Sequence, residues 1–244
     1  MNLLSKNRAD NFFRYKWLCD PVFATWIADM LYPYGKTLLD VGCGNGYMFD
    51  YYASKFTKIG AIEPSLSIIE EARKKANETN VLLKVGAAEE IPFPNGAFDI
   101  VLAKSSLHHF MDVNQGLFEM QRVANNVIVV VEVVAPNNSC IPFLQGLLIQ
   151  KEKGRKAESV YTAESLKKLM EKLQHKCDVY QHFFDQYIEI DTWLKYSDLS
   201  ESDKKRAMQY ILGMDDETKR HMQLHERGTH ICMLRRMSLT LVFK

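Results

Sequence analysis

Apolar and polar positions alternate with two different periods between about residue 36 and residue 134. Short runs rich in β-branched residues predict buried strands, and apolar residues three or four positions apart between these runs predict amphipathic helices. The predicted strands are 36–41, 58–62, 81–85, 98–103 and 127–134, and the predicted helices include 46–55, a helix opening at 67, and 113–123. Ser67 and Glu70 have the spacing of a capping box at the start of that second helix. The alternation predicts right-handed βαβ units and a parallel sheet with helices on both faces.

The flanks of this region have other patterns. Residues 1–34 carry many aromatic side chains at helix-like spacing, and the chain after the fifth strand predicts a helix, an aromatic-rich strand, a polar helical stretch and a last strand. These four predicted segments are 162–173, 177–190, 191–228 and 231–243. We expect one domain over 1–244, made of an N-terminal helical lid (1–34), a core (36–134) and a C-terminal part (137–244) with a helical insertion at about 191–228.

Charge and cysteine content narrow the classes of partner and compartment. The 31 basic and 30 acidic residues give a net charge of +1, which leaves no strong field to attract a polyanion. We therefore expect no nucleic-acid and no membrane partner. The five cysteines are scattered without a CxxC pair, which predicts reduced thiols in a cytoplasmic protein. The most apolar segment, 127–135, contains Glu132 and is about half the length needed to cross a bilayer.

The most informative stretch is 38–46, which reads LLDVGCGNG and follows the first predicted strand. Its glycines allow a sharp turn and a close approach of the backbone to a ligand at the edge of the sheet where ligands bind in open α/β folds. A dinucleotide site requires a small residue three positions after the second glycine, and Tyr47 stands there instead. Asp40, just before the loop, would repel a pyrophosphate and attract a cation. The sequence therefore favours a cofactor that carries positive charge and no phosphate.

With these features, residues 38–46 resemble the first motif of class I S-adenosylmethionine-dependent methyltransferases. Residues 36–134 resemble, more narrowly, the ubiquinone/menaquinone-biosynthesis methyltransferase-like group of small-molecule enzymes. The supporting stretches are AIEPS at 61–65, GAAEEIPFP at 86–94 and FDIVLAKSSLHH at 98–109. The resemblance covers about two-fifths of the chain. It implies S-adenosyl-L-methionine as cofactor, S-adenosyl-L-homocysteine as product, and a Rossmann-like, mostly parallel seven-stranded sheet with helices on both faces, an antiparallel final strand and helical lid additions.

The same resemblance implies roles for individual residues. Asp40 would hold the amino group of the cofactor directly or through water, Gly42 and Gly44 would line its methionine part, and Glu63 would accept both ribose hydroxyls. A carboxylate that accepts two hydroxyl donors is a strong and directional anchor. The full set expected to contact the cofactor is Asp40, Gly42, Cys43, Gly44, Glu63, Pro64, Ala87, Ala88, Glu89 and Lys104.

One position departs from the pattern of the family. Ala88 and Glu89 fall where the family contacts adenine, but the family often has Asp at the position of Ala87. An alanine side chain cannot accept a hydrogen bond from the adenine amino group. Recognition of adenine in this chain would then rest on backbone groups, on Glu89, or be weaker.

The chemistry at the acceptor leaves more alternatives open. His108 and His109 follow the fourth strand at the same edge and are candidates for a general base, although such a pair is also a structural feature of the family. His221, His225 and His230 do not have a completing acidic or cysteine ligand at a compelling spacing, so we expect no metal. Tyr15, in the aromatic N-terminal region, is a candidate for contact with the methyl acceptor.

Three functions are compatible with these residues. The first is methyl transfer to a small, partly apolar acceptor at O, N or C, with the flanking additions excluding water from the reaction. The second is a non-catalytic S-adenosylmethionine-binding protein with a regulatory or scaffold role. The third, a protein or RNA methyltransferase, is disfavoured by the balanced charge.

Overall fold

The structure is a computed structural model, described over residues 21–145, 160–173, 179–195 and 199–244. These residues form two compact units whose segments are interleaved along the sequence. The larger unit contains 21–132, 167–173, 179–182 and 238–244, and the smaller contains 133–145, 160–166, 183–195 and 199–237. The expectation of one methyltransferase domain over 1–244 stays a prediction.

A mostly parallel β-sheet is the framework of the fold. Its strands are β1 (Thr37–Val41), β2 (Lys58–Glu63), β3 (Val81–Val85), β4 (Phe98–Lys104), β5 (Ala124–Ala135), β6 (Tyr161–Thr162), β7 (Val179–Glu189), β8 (His225–Arg227) and β9 (His230–Phe243). Seven strands follow the order β3-β2-β1-β4-β5-β9-β7, while β6 pairs with β5 and β8 pairs with β9. The final strands are antiparallel. The predicted α/β fold class, with a mostly parallel sheet and an antiparallel final strand, is confirmed, and the described sheet has nine strands where seven were predicted.

The order of the strands sets the position of the ligand edge. Asp40 in β1 lies opposite Ala61 in β2 and Leu102 in β4, and all three strands run in the same direction. In the sheet, β2 and β3 lie on one side of β1, and β4 and β5 lie on the other. The carboxyl end of β1 is therefore a topological switch point, where the loops on either side diverge and leave a crevice.

The described helices are α1 (Pro21–Leu31), α2 (Phe49–Ala53), α3 (Leu66–Thr79), α4 (Val113–Val123), α5 (Ala163–Glu171), α6 (Ile190–Lys195), α7 (Glu201–Leu212) and α8 (Asp216–His221). Helix α3 buries one face through Ile68, Ile69, Ala72 and Ala76, as its spacing predicts. The prediction that Ser67 and Glu70 form a capping box at the start of this helix was wrong. Ser65 is the N-cap residue, and its hydroxyl lies 3.0 Å from the Ser67 hydroxyl instead of capping the helix.

The described part of the predicted polar helical stretch 191–228 lies in the smaller unit and contains α7, α8, β8 and most of α6. Local capping marks the starts of α7 and α8. Ser200 accepts a hydrogen bond from the Asp203 amide at the start of α7, and Asp215 accepts one from the Thr218 amide at the start of α8. The apolar faces of these helices surround buried Trp193, Ile211 and Met222. Among the described helices, none is long and apolar enough to cross a membrane.

Candidate functional site

The loop after β1 has a left-handed backbone at three positions, a conformation that favours glycine. Gly42, Gly44 and Gly46 have φ angles of 76°, 58° and 73°. A Cβ atom on Gly42 would lie 2.7 Å from the Cβ of Ser106, so this position also lacks space for a side chain. The amides of Gly42 and Cys43 both donate to the Ile62 carbonyl oxygen, at 2.9 and 3.0 Å. The loop is therefore fixed against the end of β2.

Asp40 is a buried carboxyl group at the base of this loop, with 2% of its surface exposed. Burial raises its pKa to about 7, because the charged form loses hydration, and the positive charge of Lys104 offsets part of that rise. Tyr52 lies beside Asp40 and also favours the charged form. The Tyr52 hydroxyl itself is buried and makes no hydrogen bond of normal geometry with the described residues. A cation brought next to Asp40 would stabilise its ionised form.

Glu63 ends β2 and is 7% exposed. Its Oε2 accepts a hydrogen bond from the Gly44 amide at 3.1 Å, and its Oε1 accepts one from the Ser65 amide at 2.9 Å. Burial raises the pKa of Glu63, while the two amides lower it. Each carboxylate oxygen keeps acceptor capacity beyond these bonds, so the group is held in one orientation and can still accept two hydroxyl donors.

The residues expected near adenine lie after β3. Ala87 is half-buried and Ala88 is buried. Glu89 Oε1 accepts hydrogen bonds from the amides of Met111 and Asp112, at 2.6 and 3.1 Å, directly before α4. The carboxylate of Glu89 therefore fixes the two residues that precede α4, and it lies near the N-terminus of that helix, where negative charge is favoured. The sequence did not predict this role.

The remaining residues expected at the cofactor, Lys104, Cys43 and Pro64, differ in burial and in their neighbours. The Lys104 ammonium, at the end of β4, lies 5.9 Å from the centre of the Tyr47 ring. Cys43 is half-buried, and burial raises the pKa of its thiol well above the ordinary value, which makes the thiol a poor nucleophile. Pro64 is exposed next to Glu63.

The two candidate histidines lie on a 3₁₀ turn, Leu107–His109, after β4. His108 Nδ1 lies 2.8 Å from Oε1 of Glu132 on β5, and the rings of His108 and His109 are 4.2 Å apart. The turn is anchored to the glycine loop, because the Ser106 hydroxyl donates to the Val41 carbonyl oxygen at 2.7 Å. The structure thus brings the histidines and the loop to one edge.

Sequence reasoning missed three residues that shape this edge: Tyr52, Ser106 and Glu132. Ser106 is the second residue after β4, a position that topology alone places beside the loop. Glu132 carried a signal of its own, because it is a charged residue inside the most apolar run of the chain. Tyr52 carried no signal beyond its place on an amphipathic helix.

Two remaining predictions concern residues away from this edge. Tyr15, the candidate for acceptor contact, lies outside the described residues. His230 Nδ1 lies 2.6 Å from Oδ2 of Asp191, and the His225 ring packs against the Tyr187 ring. No group of three or more ligand side chains suited to a metal ion occurs in the part of the chain that the structure describes.

Comparison with known proteins finds a family match within the 21–132 segment of the larger unit. Residues 39–127 match the family described as methyltransferase domain. The uncharacterized methyltransferase YcgJ of Bacillus subtilis is 30% identical over 89 residues, covering 35% of this chain and 35% of that protein. Ajmaline N-methyltransferase of Rauvolfia serpentina is 32% identical over 123 residues, covering 48% and 42%. The chain thus spans about a third to two-fifths of the length of the curated relatives it matches.

Solved structures extend the similarity in fold to most of the chain. The crystal structure of YcgJ has a TM-score of 0.79 at 19% identity and covers 89% of this chain and 97% of YcgJ. A SAM-dependent methyltransferase from Aquifex aeolicus has a TM-score of 0.54 at 17% identity and covers 94% and 96%. The narrower likeness to the ubiquinone/menaquinone group stays a prediction. Residues 39–127 thus match a methyltransferase domain family, and the chain around them has the fold of these solved methyltransferase structures.

Proposed function

We propose that the protein transfers a methyl group from S-adenosylmethionine to a small, partly apolar acceptor at O, N or C, with S-adenosylhomocysteine as product. The observation that carries the proposal is the pair of buried carboxyl groups, Asp40 and Glu63, around a glycine loop with positive φ angles. Such an edge repels phosphate and favours a ligand with an ammonium or sulfonium group and sugar hydroxyls.

The residues present fit this cofactor. Asp40 has a pKa of about 7 because it is buried, and a cationic group beside it would offset that penalty. The nearby Tyr52 hydroxyl is a buried polar group that a ligand or water would satisfy. Glu63 is already oriented by two amides and would accept the ribose hydroxyls. Gly42 and Gly44 would leave room for the methionine part.

Adenine would lie along the Ala87, Ala88 and Glu89 segment. Because one oxygen of Glu89 is bonded to two backbone amides, we expect backbone groups of this segment to supply most of the hydrogen bonds to the base. When bound, the cofactor supplies a methyl group on a positively charged sulfur. The chain's contribution is then mainly alignment of the acceptor with that methyl group, an effect worth roughly 7–11 kcal/mol.

A small acceptor is supported by two observations. The net charge of +1 offers no extended field for a nucleic acid or an anionic membrane surface, and we propose neither as a partner. A relative with 32% identity over 123 residues is named as an N-methyltransferase of ajmaline. A cytoplasmic location stays a prediction.

Calorimetry tests the cofactor. We expect S-adenosylhomocysteine and S-adenosylmethionine to bind with micromolar dissociation constants, about −8 kcal/mol, and NAD not to bind. Binding of NAD with no response to either sulfur nucleoside would overturn the proposal. Incubation with S-adenosylmethionine and a panel of small hydroxyl and amine metabolites, with detection of S-adenosylhomocysteine, then separates turnover from a purely cofactor-binding role.

A further inference from the structure

We propose that Glu132 is a positioning residue that holds the proton of His108 on Nδ1, so that Nε2 serves as general base for an acceptor O–H or N–H group. The inference rests on the proposed methyl transfer and deepens it. It restricts the acceptor to a protic nucleophile that gives up a proton during the reaction.

The contact between the two side chains is short and shielded from water. His108 Nδ1 and Glu132 Oε1 are 2.8 Å apart, with 16% of the His108 side chain and 2% of the Glu132 side chain exposed. Within the described ranges, no hydrogen bond is made by Nε2 of His108. One ring nitrogen is therefore engaged with a carboxyl group, and the other is left for a ligand.

The contact determines which nitrogen is basic. A neutral imidazole has one N–H donor and one acceptor nitrogen, and the partner of one nitrogen fixes the state of the other. A carboxylate accepts hydrogen bonds only, so an ionised Glu132 requires the proton on Nδ1 and leaves the lone pair on Nε2. A protonated Glu132 would donate to Nδ1 and place the proton on Nε2, which would then be a donor.

The backbone fixes both partners relative to the glycine loop. Ser105 has a φ angle of 51°, an unfavourable value for a residue with a side chain, and its amide donates to the Val131 carbonyl oxygen at 2.7 Å. That bond ties the start of the histidine turn to the residue before Glu132. Ser106 bonds to Val41 and packs where Gly42 has no side chain. His108 thus lies on a turn that is bonded both to β5, which carries Glu132, and to the end of β1, where the glycine loop begins.

A second close imidazole–carboxylate contact, in the smaller unit, provides a comparison. His230 and Asp191 are 2.6 Å apart, but their side chains are 41% and 37% exposed. Water competes for both groups at that position, so the carboxylate has little control over the imidazole tautomer. At His108 the carboxyl partner is almost fully buried, which makes its hydrogen bond stronger and its orientation fixed.

In the proposed step, the acceptor atom X would form a bond to the methyl carbon, the carbon–sulfur bond would break with its electron pair going to sulfur, and the X–H proton would pass to Nε2 of His108. The resulting imidazolium is stabilised by the Glu132 carboxylate and then releases the proton to solvent. No oxidant or metal is required.

The experiment is long-range ¹H–¹⁵N NMR on the full chain labelled at its seven histidines, at neutral pH, with His108 assigned from the His108→Gln variant. We expect wild-type His108 to carry its proton mainly on Nδ1. Glu132→Leu, which offers no acceptor to Nδ1–H, should shift the ratio towards the Nε2–H tautomer, and Glu132→Asp, which keeps a carboxylate, should retain Nδ1–H. The matched control Asp191→Asn should alter the His230 signals and leave those of His108 unchanged.

Each outcome decides the inference. An Nε2–H or doubly protonated His108 in the wild type overturns the general-base role, and an unchanged tautomer in Glu132→Leu overturns the role of Glu132. Calorimetry with S-adenosylhomocysteine on the same samples keeps the two proposals separate. If the wild type binds S-adenosylhomocysteine but His108 has the other tautomer, only the roles of His108 and Glu132 are refuted. If the wild type does not bind S-adenosylhomocysteine, the proposed function is refuted.

Discussion

Carboxyl groups are used differently in the two units of the molecule. In the larger unit, Asp40 and Glu63 are buried, and Glu63 is held by backbone amides. In the smaller unit, Asp185 pairs with Arg236 through two hydrogen bonds, with their side chains 40% and 38% exposed. Exposed pairs of this kind contribute little to stability, whereas burying a carboxyl group is unfavourable unless something compensates for it. The contrast favours the larger unit as the one that contains a site for a positively charged ligand.

The strongest test of this contrast is Asp40→Asn. We expect the affinity for S-adenosylhomocysteine to fall roughly tenfold to a hundredfold, since a hydrogen bond to a charged group is lost. The unfolding free energy of the free protein should rise at alkaline pH, by at most about 4 kcal/mol, because an ionised carboxylate is no longer buried. Calorimetry and urea unfolding measure the two effects. Unchanged affinity would show that Asp40 has no role in binding.

Glu63→Gln tests the second buried carboxyl group. The amide keeps one acceptor oxygen for a backbone N–H group but loses the charge and the second acceptor. We expect about tenfold weaker binding of S-adenosylhomocysteine with the fold preserved. Circular dichroism would confirm the fold. Wild-type affinity in this variant would mean that the ribose is held by other groups.

In the wild type, the pH dependence of folding stability and of cofactor affinity also tests the role of the buried Asp40. The pKa of Asp40 in the folded chain, about 7, lies above the ordinary value of 3.8. The folded state therefore binds more protons than the unfolded state between these values, and stability should decline as pH rises through this window and level off above it. Cofactor affinity should show the opposite trend, falling up to about tenfold per pH unit below 7, because binding requires the ionised form.

Asp40→Asn is the control for both slopes, because it removes the titrating group. Calorimetry and chemical unfolding across the pH range would measure them. Equal slopes in the variant and the wild type would assign the pH dependence to another residue.

The smallest effect is expected for Asp185→Asn. Its pKa is lowered mainly by the hydrogen bonds from Arg236, but the pair is exposed. We expect a loss of stability below about 1 kcal/mol and no change in cofactor affinity. Urea unfolding at two salt concentrations would check this. A larger loss would mean that the smaller unit also depends on its charged pairs.

The sequence predicted the parts of the fold that local patterns determine. The β-branched runs located β1 to β5 within a few residues, and the glycine loop with Asp40 and Glu63 followed from spacing and family resemblance. The predictions were less accurate where neighbouring residues compete for one role. Ser65 and Ser67 can both begin a helix, and the turn after β2 selects Ser65.

The remaining features depend on contacts between residues far apart in the chain. The His108–Glu132 contact joins residues 24 positions apart. No periodic pattern in a single sequence identifies such a pair, because it depends on β4 and β5 being neighbours. Glu89 was assigned to adenine, yet its carboxylate also holds the amides before α4, 22 and 23 positions away.

The position of β9 has a consequence for biosynthesis. This strand comes after all the others in the sequence, yet it lies between β5 and β7, and its residues Leu239, Leu241 and Val242 are buried. A nascent chain leaves the ribosome at roughly 5–20 residues per second, so β5 and β7 are made before the strand that separates them. Until residues 238–244 emerge, Gln181 lacks its bonds to Ser238 and Thr240. The sheet can therefore be completed only after synthesis has reached this strand, and until then the facing edges of β5 and β7 lack the strand that pairs with both of them.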